Sequence, residues 1–222
     1  MKINYRILIP LLIISIFSVG CAQHTSVLID KSTCHPSCWN GIVPGYTIST
    51  EGLQYLYEIP EINQSSIYVP ERDSGNGFIA WDFISGYSER TGRYNFDNYE
   101  ISLIQIFMHN HVDLSKFIEG FGEPDIVSII PGWGEAKYYE INLIYSDYGI
   151  ALNTTIPSIF QSRSHLSIRP KLRVEKVFYF EPSTVISYSD SYIYFDAPNL
   201  DIFQFSYQSW NGYGKYKIID WE

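Results

Sequence analysis

Apolar positions along the chain fall into two regimes, one with a period near 3.6 and one with a period of two. The clearest unit is Val112 to Asn153. Leu114, Phe117, Ile118 and Phe121 fall at i, i+3, i+4 and i+7, behind Asp113, a residue suited to a helix N-cap. Gly122 and Pro124 stop that helix. Ile126 to Ile130 then reads as a strand and Pro131-Gly132-Trp133-Gly134 as a turn. Tyr139, Ile141, Leu143 and Tyr145 alternate inward, and Asp147-Tyr148-Gly149 turns the chain into Ile150 and Leu152.

A fainter copy of this order runs upstream. Pro44-Gly45 makes a turn, Thr47 is placed to cap a helix, and Leu53, Leu56 and Tyr57 give it one apolar face. Gly52 weakens the helix and Pro60 ends it. Ile79, Trp81 and Phe83 alternate onto one side of a strand, and Tyr94 to Met108 reads as one long strand or a bent pair. Ile101, Leu103 and Phe107 share a face there, yet Ile104, Ile106 and Met108 are apolar too. That pattern predicts a central strand covered by helix on one side. Leu172 to Phe180 gives a further strand, and Ser183 to Glu222 two or three last ones that extend the second sheet. The prediction is an α+β, β-rich fold built from two tandem helix plus antiparallel-sheet modules. Residues 34–111 form the first; residues 112–222 form the second, with extra C-terminal strands.

The amino terminus changes the picture. Lys2 and Arg6 precede an apolar run, Ile7 to Val19, that falls short of the ~20 residues a membrane span needs. Residues 1–20 therefore read as a secretory signal and 21–33 as a polar leash. Loss of those two positive charges takes the formal charge from -9 to about -11. That acidity argues against a nucleic-acid role, which would need a basic face for phosphates, so no nucleic-acid partner is expected. Aromatic residues make up 17% of the chain, 19 of them Tyr, which again favours strands.

Ser18-Val19-Gly20-Cys21 resembles the lipobox of bacterial lipoproteins. The resemblance implies that Cys21 is diacylated and anchors the chain in a bacterial cell envelope. With Ala22 next, it implies the outer membrane or the outer face of the plasma membrane. Cys34 and Cys38 are then the remaining thiols, and an oxidising compartment favours pairing them as a disulfide; a redox pair or a metal site with His35 is the alternative. The stretch from Cys34 through Cys38-Trp39-Asn40-Gly41-Ile42-Val43-Pro44-Gly45-Tyr46-Thr47 resembles the opening of a group of uncharacterised bacterial lipoproteins, which implies a family and no activity. Phe121-Gly122-Glu123-Pro124 and Tyr145 to Gly149 resemble the small BamE-type (SmpA/OmlA) envelope lipoprotein module.

Candidate chemistry is sparse. His109 and His111 could share a strand face as metal ligands, but they fall between a strand and a helix cap, so no metal or cofactor is expected. The basic residues Arg163, His165, Arg169, Lys171, Arg173 and Lys176 read as a solvated sheet face, with anionic headgroups or glycans as the alternative target. The chain contains no Gly-x-Ser-x-Gly elbow, His-Glu-x-x-His or Walker loop, so no catalytic residue is assigned. Trp133, Trp210 and Tyr213 sit in Gly-rich turns where a ring can meet a partner. The expected function is a lipid-anchored envelope protein, not an enzyme. Its binding or scaffolding body would meet an envelope protein or cell-wall material. A secreted envelope hydrolase acting on glycan or peptide is the alternative.

Overall fold

Among the described residues, two short α-helices lie on one face of a long antiparallel sheet. The computed structural model describes residues 37–69, 75–84, 91–108, 112–131, 138–158, 164–182 and 207–218. Strands β1 (Gly77–Asp82), β2 (Thr91–Asp97) and β3 (Glu100–Phe107) follow helix α1 (Ser49–Glu58). Strands β4 (Ile126–Pro131), β5 (Tyr138–Tyr145) and β6 (Ile150–Pro157) follow helix α2 (Leu114–Phe121). The remaining strands are β7 (His165–Ile168), β8 (Lys176–Phe180), β9 (Tyr207–Ser209) and β10 (Gly214–Lys217).

The eight-stranded sheet runs β1-β2-β3-β8-β6-β5-β4-β9, and β7 pairs with β10 apart from it. The strand-rich α+β class matches the sequence pattern. The sheet does not separate into the two expected modules, because β8 lies between β3 and β6 and pairs antiparallel with both. Each half nevertheless contributes a helix and a three-strand meander. In each, the residue just before the first strand ties down the second hairpin. Asn76 Oδ1 accepts from the Asn98 N–H at 2.9 Å, and Asp125 Oδ2 accepts from the Ser146 N–H at 2.7 Å.

Register explains which side chains meet the helices. Ile79, Tyr94, Ile104, Tyr179, Ile150 and Tyr145 form one row across six strands, all on the same face. The bent pair of strands expected in Tyr94–Met108 is β2 and β3, turning at Asn98-Tyr99, both with positive φ. A bulge opposite Asn95/Phe96 brings Ile101 onto the row's face. There Ile101 and Tyr94 press on Gly52 of α1, and the Tyr94 hydroxyl donates to the Ser49 carbonyl at 2.7 Å. Helix α2 reaches the same face, its Phe121 ring 5.8 Å from Tyr145.

Two local expectations shift. The N-cap of α1 is Ile48, one residue later than Thr47, and the Thr47 hydroxyl instead accepts from the Val43 N–H at 2.8 Å. Asp113 does hold the N-cap position of α2, but its side chain makes no capping bond. Gly122 closes α2 with φ +89, and its N–H donates to the Ile118 carbonyl. Of the final strands among the described residues, β9 extends the main sheet and β10 joins β7.

The opening motif is a two-residue hairpin. Trp39 and Ile42 exchange backbone hydrogen bonds at 2.9 Å, while Asn40 and Gly41 both have positive φ. Asn-Gly suits that turn because both of its central residues need left-handed backbone. The hairpin buries Trp39 against Trp81, ring centroids 5.3 Å apart and stacked, with Phe83 edge-on.

Candidate functional site

Trp210 and Tyr213, two of the three rings singled out from sequence, come together at the end of the sheet beyond β9. The backbone around them is pinned. The Trp210 N–H donates to the Asp125 carbonyl at 3.0 Å. The Tyr216 hydroxyl donates to the Gly212 carbonyl at 2.7 Å and accepts from the Asn211 N–H at 3.0 Å, closing the turn on itself. Tyr216 is buried and its ring stacks under Trp210 at 5.9 Å; Tyr213 stands edge-on to Trp210 at 5.7 Å and is 39% exposed. Trp210 is half-buried, and its indole N–H is shielded with no hydrogen bond. The result is a fixed aromatic ledge with one ring open to solvent.

Three carboxylates act on the rings in and beside this ledge. Partial burial raises the Tyr213 phenol above its ordinary value, and Glu119 and Glu123 raise it further. Burial also lifts Tyr145, with Tyr213, Asp125 and Glu123 adding to the effect. Burial lifts Tyr216, the Asn211 N–H offsets part of that, and Glu123 contributes to the rise. Glu119, Glu123 and Asp125 are all exposed. Tyr145 is 1% exposed and its hydroxyl has no partner. Lys116 is engaged with Glu119 at 3.0 Å.

Trp133, Cys21, Cys34, His109 and His111 lie outside the described residues. Cys38 is half-buried where the Trp39 hairpin begins. Among the described residues, no group of three or more His, Cys, Asp or Glu is arranged to hold a metal ion. No described helix is long and apolar enough to cross a membrane. The basic residues after Arg163 do not share one sheet face. His165 starts β7, and Arg169 and Lys171 occupy an exposed turn. Arg173 donates to the Met108 carbonyl at 3.5 Å, and the Lys176 Nζ stands 5.7 Å from the Phe107 ring centroid.

Sequence reasoning missed a polar row on the sheet face away from the helices. Ser128, Asn142 and Asn153 are opposite one another on β4, β5 and β6 and are fully buried. Asn153 Nδ2 donates to Asn142 Oδ1 at 2.8 Å, leaving Asn142 Nδ2 and Asn153 Oδ1 without partners. Glu140, Thr155 and Glu175 border the row, half-buried, with the Thr155 hydroxyl donating to Glu175 at 2.8 Å. Burial pushes the Glu140 carboxyl above the usual range; Lys176 pulls it back, Glu175 raises it and the Asn153 amide lowers it. The available signal was Asn142 and Asn153 inside otherwise apolar strands. A shallow concavity of about 370 Å³ lies elsewhere, between the Asn40-Gly41 turn and the end of α1 at Tyr55 and Glu58.

The chain matches no family model, no curated protein and no solved structure in the three comparisons made.

Proposed function

We propose that this chain is a lipid-anchored cell-envelope protein, held by Cys21, whose body binds a protein partner without catalysing a reaction. The observation that carries the reading is the Trp210–Tyr213 ledge. Interface anchors are characteristically aromatic side chains held rigid before binding, because ordering a loose ring would cost affinity. The signal, lipobox and leash supply the anchoring half, and a Cys34–Cys38 disulfide would tie the leash to the Trp39 hairpin. The two helix-plus-meander halves, with their matching Asn76 and Asp125 ties, support a reading as two copies of one module fused through β8.

Anchoring is tested by labelled palmitate. Incorporation into the chain, lost with membrane association in Cys21→Ala, is the expected result. An unlabelled chain, or a Cys21→Ala chain still bound to membranes, contradicts it. Binding is tested by photo-crosslinking in cells from position 213, which should yield a discrete adduct.

The hydrolase alternative rests on Glu140 and Glu175, one carboxyl raised by burial beside a second held by Thr155. It requires Glu140→Gln and Glu175→Gln each to abolish hydrolysis of purified cell-wall glycan. The non-catalytic reading predicts that neither variant differs from the parent, with no turnover in any of the three.

A further inference from the structure

We infer that the Trp210–Tyr213 ledge takes a cationic side chain, lysine or arginine, presented by the partner protein. The inference rests on the ledge being the contact surface and adds the chemistry of what it contacts.

Two observations converge on a cation. The first is an open aromatic ring: Tyr213 is 39% exposed and fixed edge-on to Trp210, which is itself stacked on the anchored Tyr216. The negative face of such a ring attracts a positive group, most strongly where water is partly excluded. The second is charge. Glu119 and Glu123 act on Tyr213, Glu123 also on Tyr145 and Tyr216, and Asp125 on Tyr145, so the carboxylates converge on one aromatic cluster. Lys116, the nearby cation on α2, is already engaged with Glu119. Lys215 and Lys217 alternate with the buried Tyr216 along β10, which turns them to the opposite face of that strand.

A carboxylate-rimmed ledge also selects against alternatives. Anionic lipid headgroups and phosphate would meet the same sign of charge, and an apolar partner would leave Glu123 desolvated without a counter-charge. A long cationic side chain laid on Tyr213 would lie within the field of Glu119 and Glu123.

The test uses the full chain carrying fluorine-labelled tryptophan. The Trp210 fluorine resonance is assigned from Trp210→Phe, or by paramagnetic broadening should that variant fail to fold. The probes are the blocked single residues N-acetyl-lysine methylamide and N-acetyl-arginine methylamide, with N-acetyl-norleucine methylamide as the neutral comparison. Saturable shifts with the lysine and arginine probes, weakened at least threefold in the surface variant Glu119→Gln/Glu123→Gln and by added salt, are expected; norleucine should leave the resonance in place. Equal shifts with norleucine would overturn the cationic inference and leave the ledge as an apolar contact surface. No shift with any probe would also overturn it, and an adduct from position 213 in cells would then show that the contact reading survives.

Discussion

The two halves of the sheet share an element order and are held together differently. Both run helix, then three antiparallel strands, and both tie the second hairpin to the residue before the first strand. The first half packs aromatic rings on one another: Trp39 on Trp81, Phe83 edge-on to Trp39, Tyr94 tilted against Trp81. Its helix comes close to the sheet because position 52 is glycine, where a Cβ would run into Ile101. The second half sets an aliphatic row, Val127, Leu143 and Leu152, beside a ring series running from Phe117 through Phe121 and Tyr145 to Tyr148. One end carries the Trp210–Tyr213 ledge, where Tyr216 is buried, Trp210 half-buried and Tyr213 open to solvent. The first half thus buries a Trp39–Trp81–Tyr94 cluster and leaves the Tyr68–Phe78 pair exposed, while the second sets one open ring, Tyr213, on a pinned base.

The sharpest way to break the comparison is to empty each core in turn. Trp81→Ala and Phe117→Ala should each destabilise the chain by about 3–5 kcal/mol. Since β8 pairs with β3 and with β6, either substitution should move one and the same urea transition. Two separable transitions, each sensitive to one variant, would show instead that the halves fold independently.

Glycine placement gives the next largest effects. A Cβ on Gly92 would collide with the Trp81 indole, and one on Gly149 with the Phe180 carbonyl, at a residue whose φ is +59. Each Ala variant should cost about 1–3 kcal/mol, with Gly149→Ala the worse because backbone cannot move aside. Midpoints of thermal unfolding would check the order.

The paired hairpin ties should be measurable too. Asn76→Ala and Asp125→Ala each remove one side-chain acceptor from a turn N–H, for about 1 kcal/mol, and the ionised Asp125 should count for more. Equal costs would deny the charge a role.

The smallest effect concerns Glu140, whose folded-state carboxyl is raised mainly by burial. Between its unfolded and folded values the native chain holds more protons, so stability falls as pH rises through that window. Glu140→Gln should therefore be more stable than the parent at neutral pH, by no more than about 1 kcal/mol given partial exposure, with the gain vanishing below the ordinary carboxylate range. Chemical denaturation at the two pH values would read it.

Periodicity made much of this legible. The helix at Leu114–Phe121, its glycine stop and the alternating hairpin that follows all appear where the pattern put them. What it could not supply was long-range pairing. Lys176–Phe180 is only a short apolar strand in sequence, and nothing local says that it inserts between β3 and β6 rather than extending an edge. The Thr47 expectation missed by one position because Thr47 and the next two residues all precede or begin the helix, and the hydroxyl turned back to Val43. The ledge was partly legible: Gly-rich flanks marked Trp210 and Tyr213 as turn rings, but stacking on Tyr216 and the acids from α2 required the fold. The Asn142–Asn153 row was hidden because each asparagine sits within an apolar run that reads as plain core.

The most direct test of the central claim is in-cell crosslinking with a photoreactive phenylalanine at position 213, compared with the same residue at position 46. Tyr46 is 74% exposed and lies before α1, outside the acidic cluster. The account predicts a discrete adduct from 213 in the membrane fraction, diminished by Glu119→Gln/Glu123→Gln, and none from 46. No adduct from 213, or the same adduct from both positions, would contradict it.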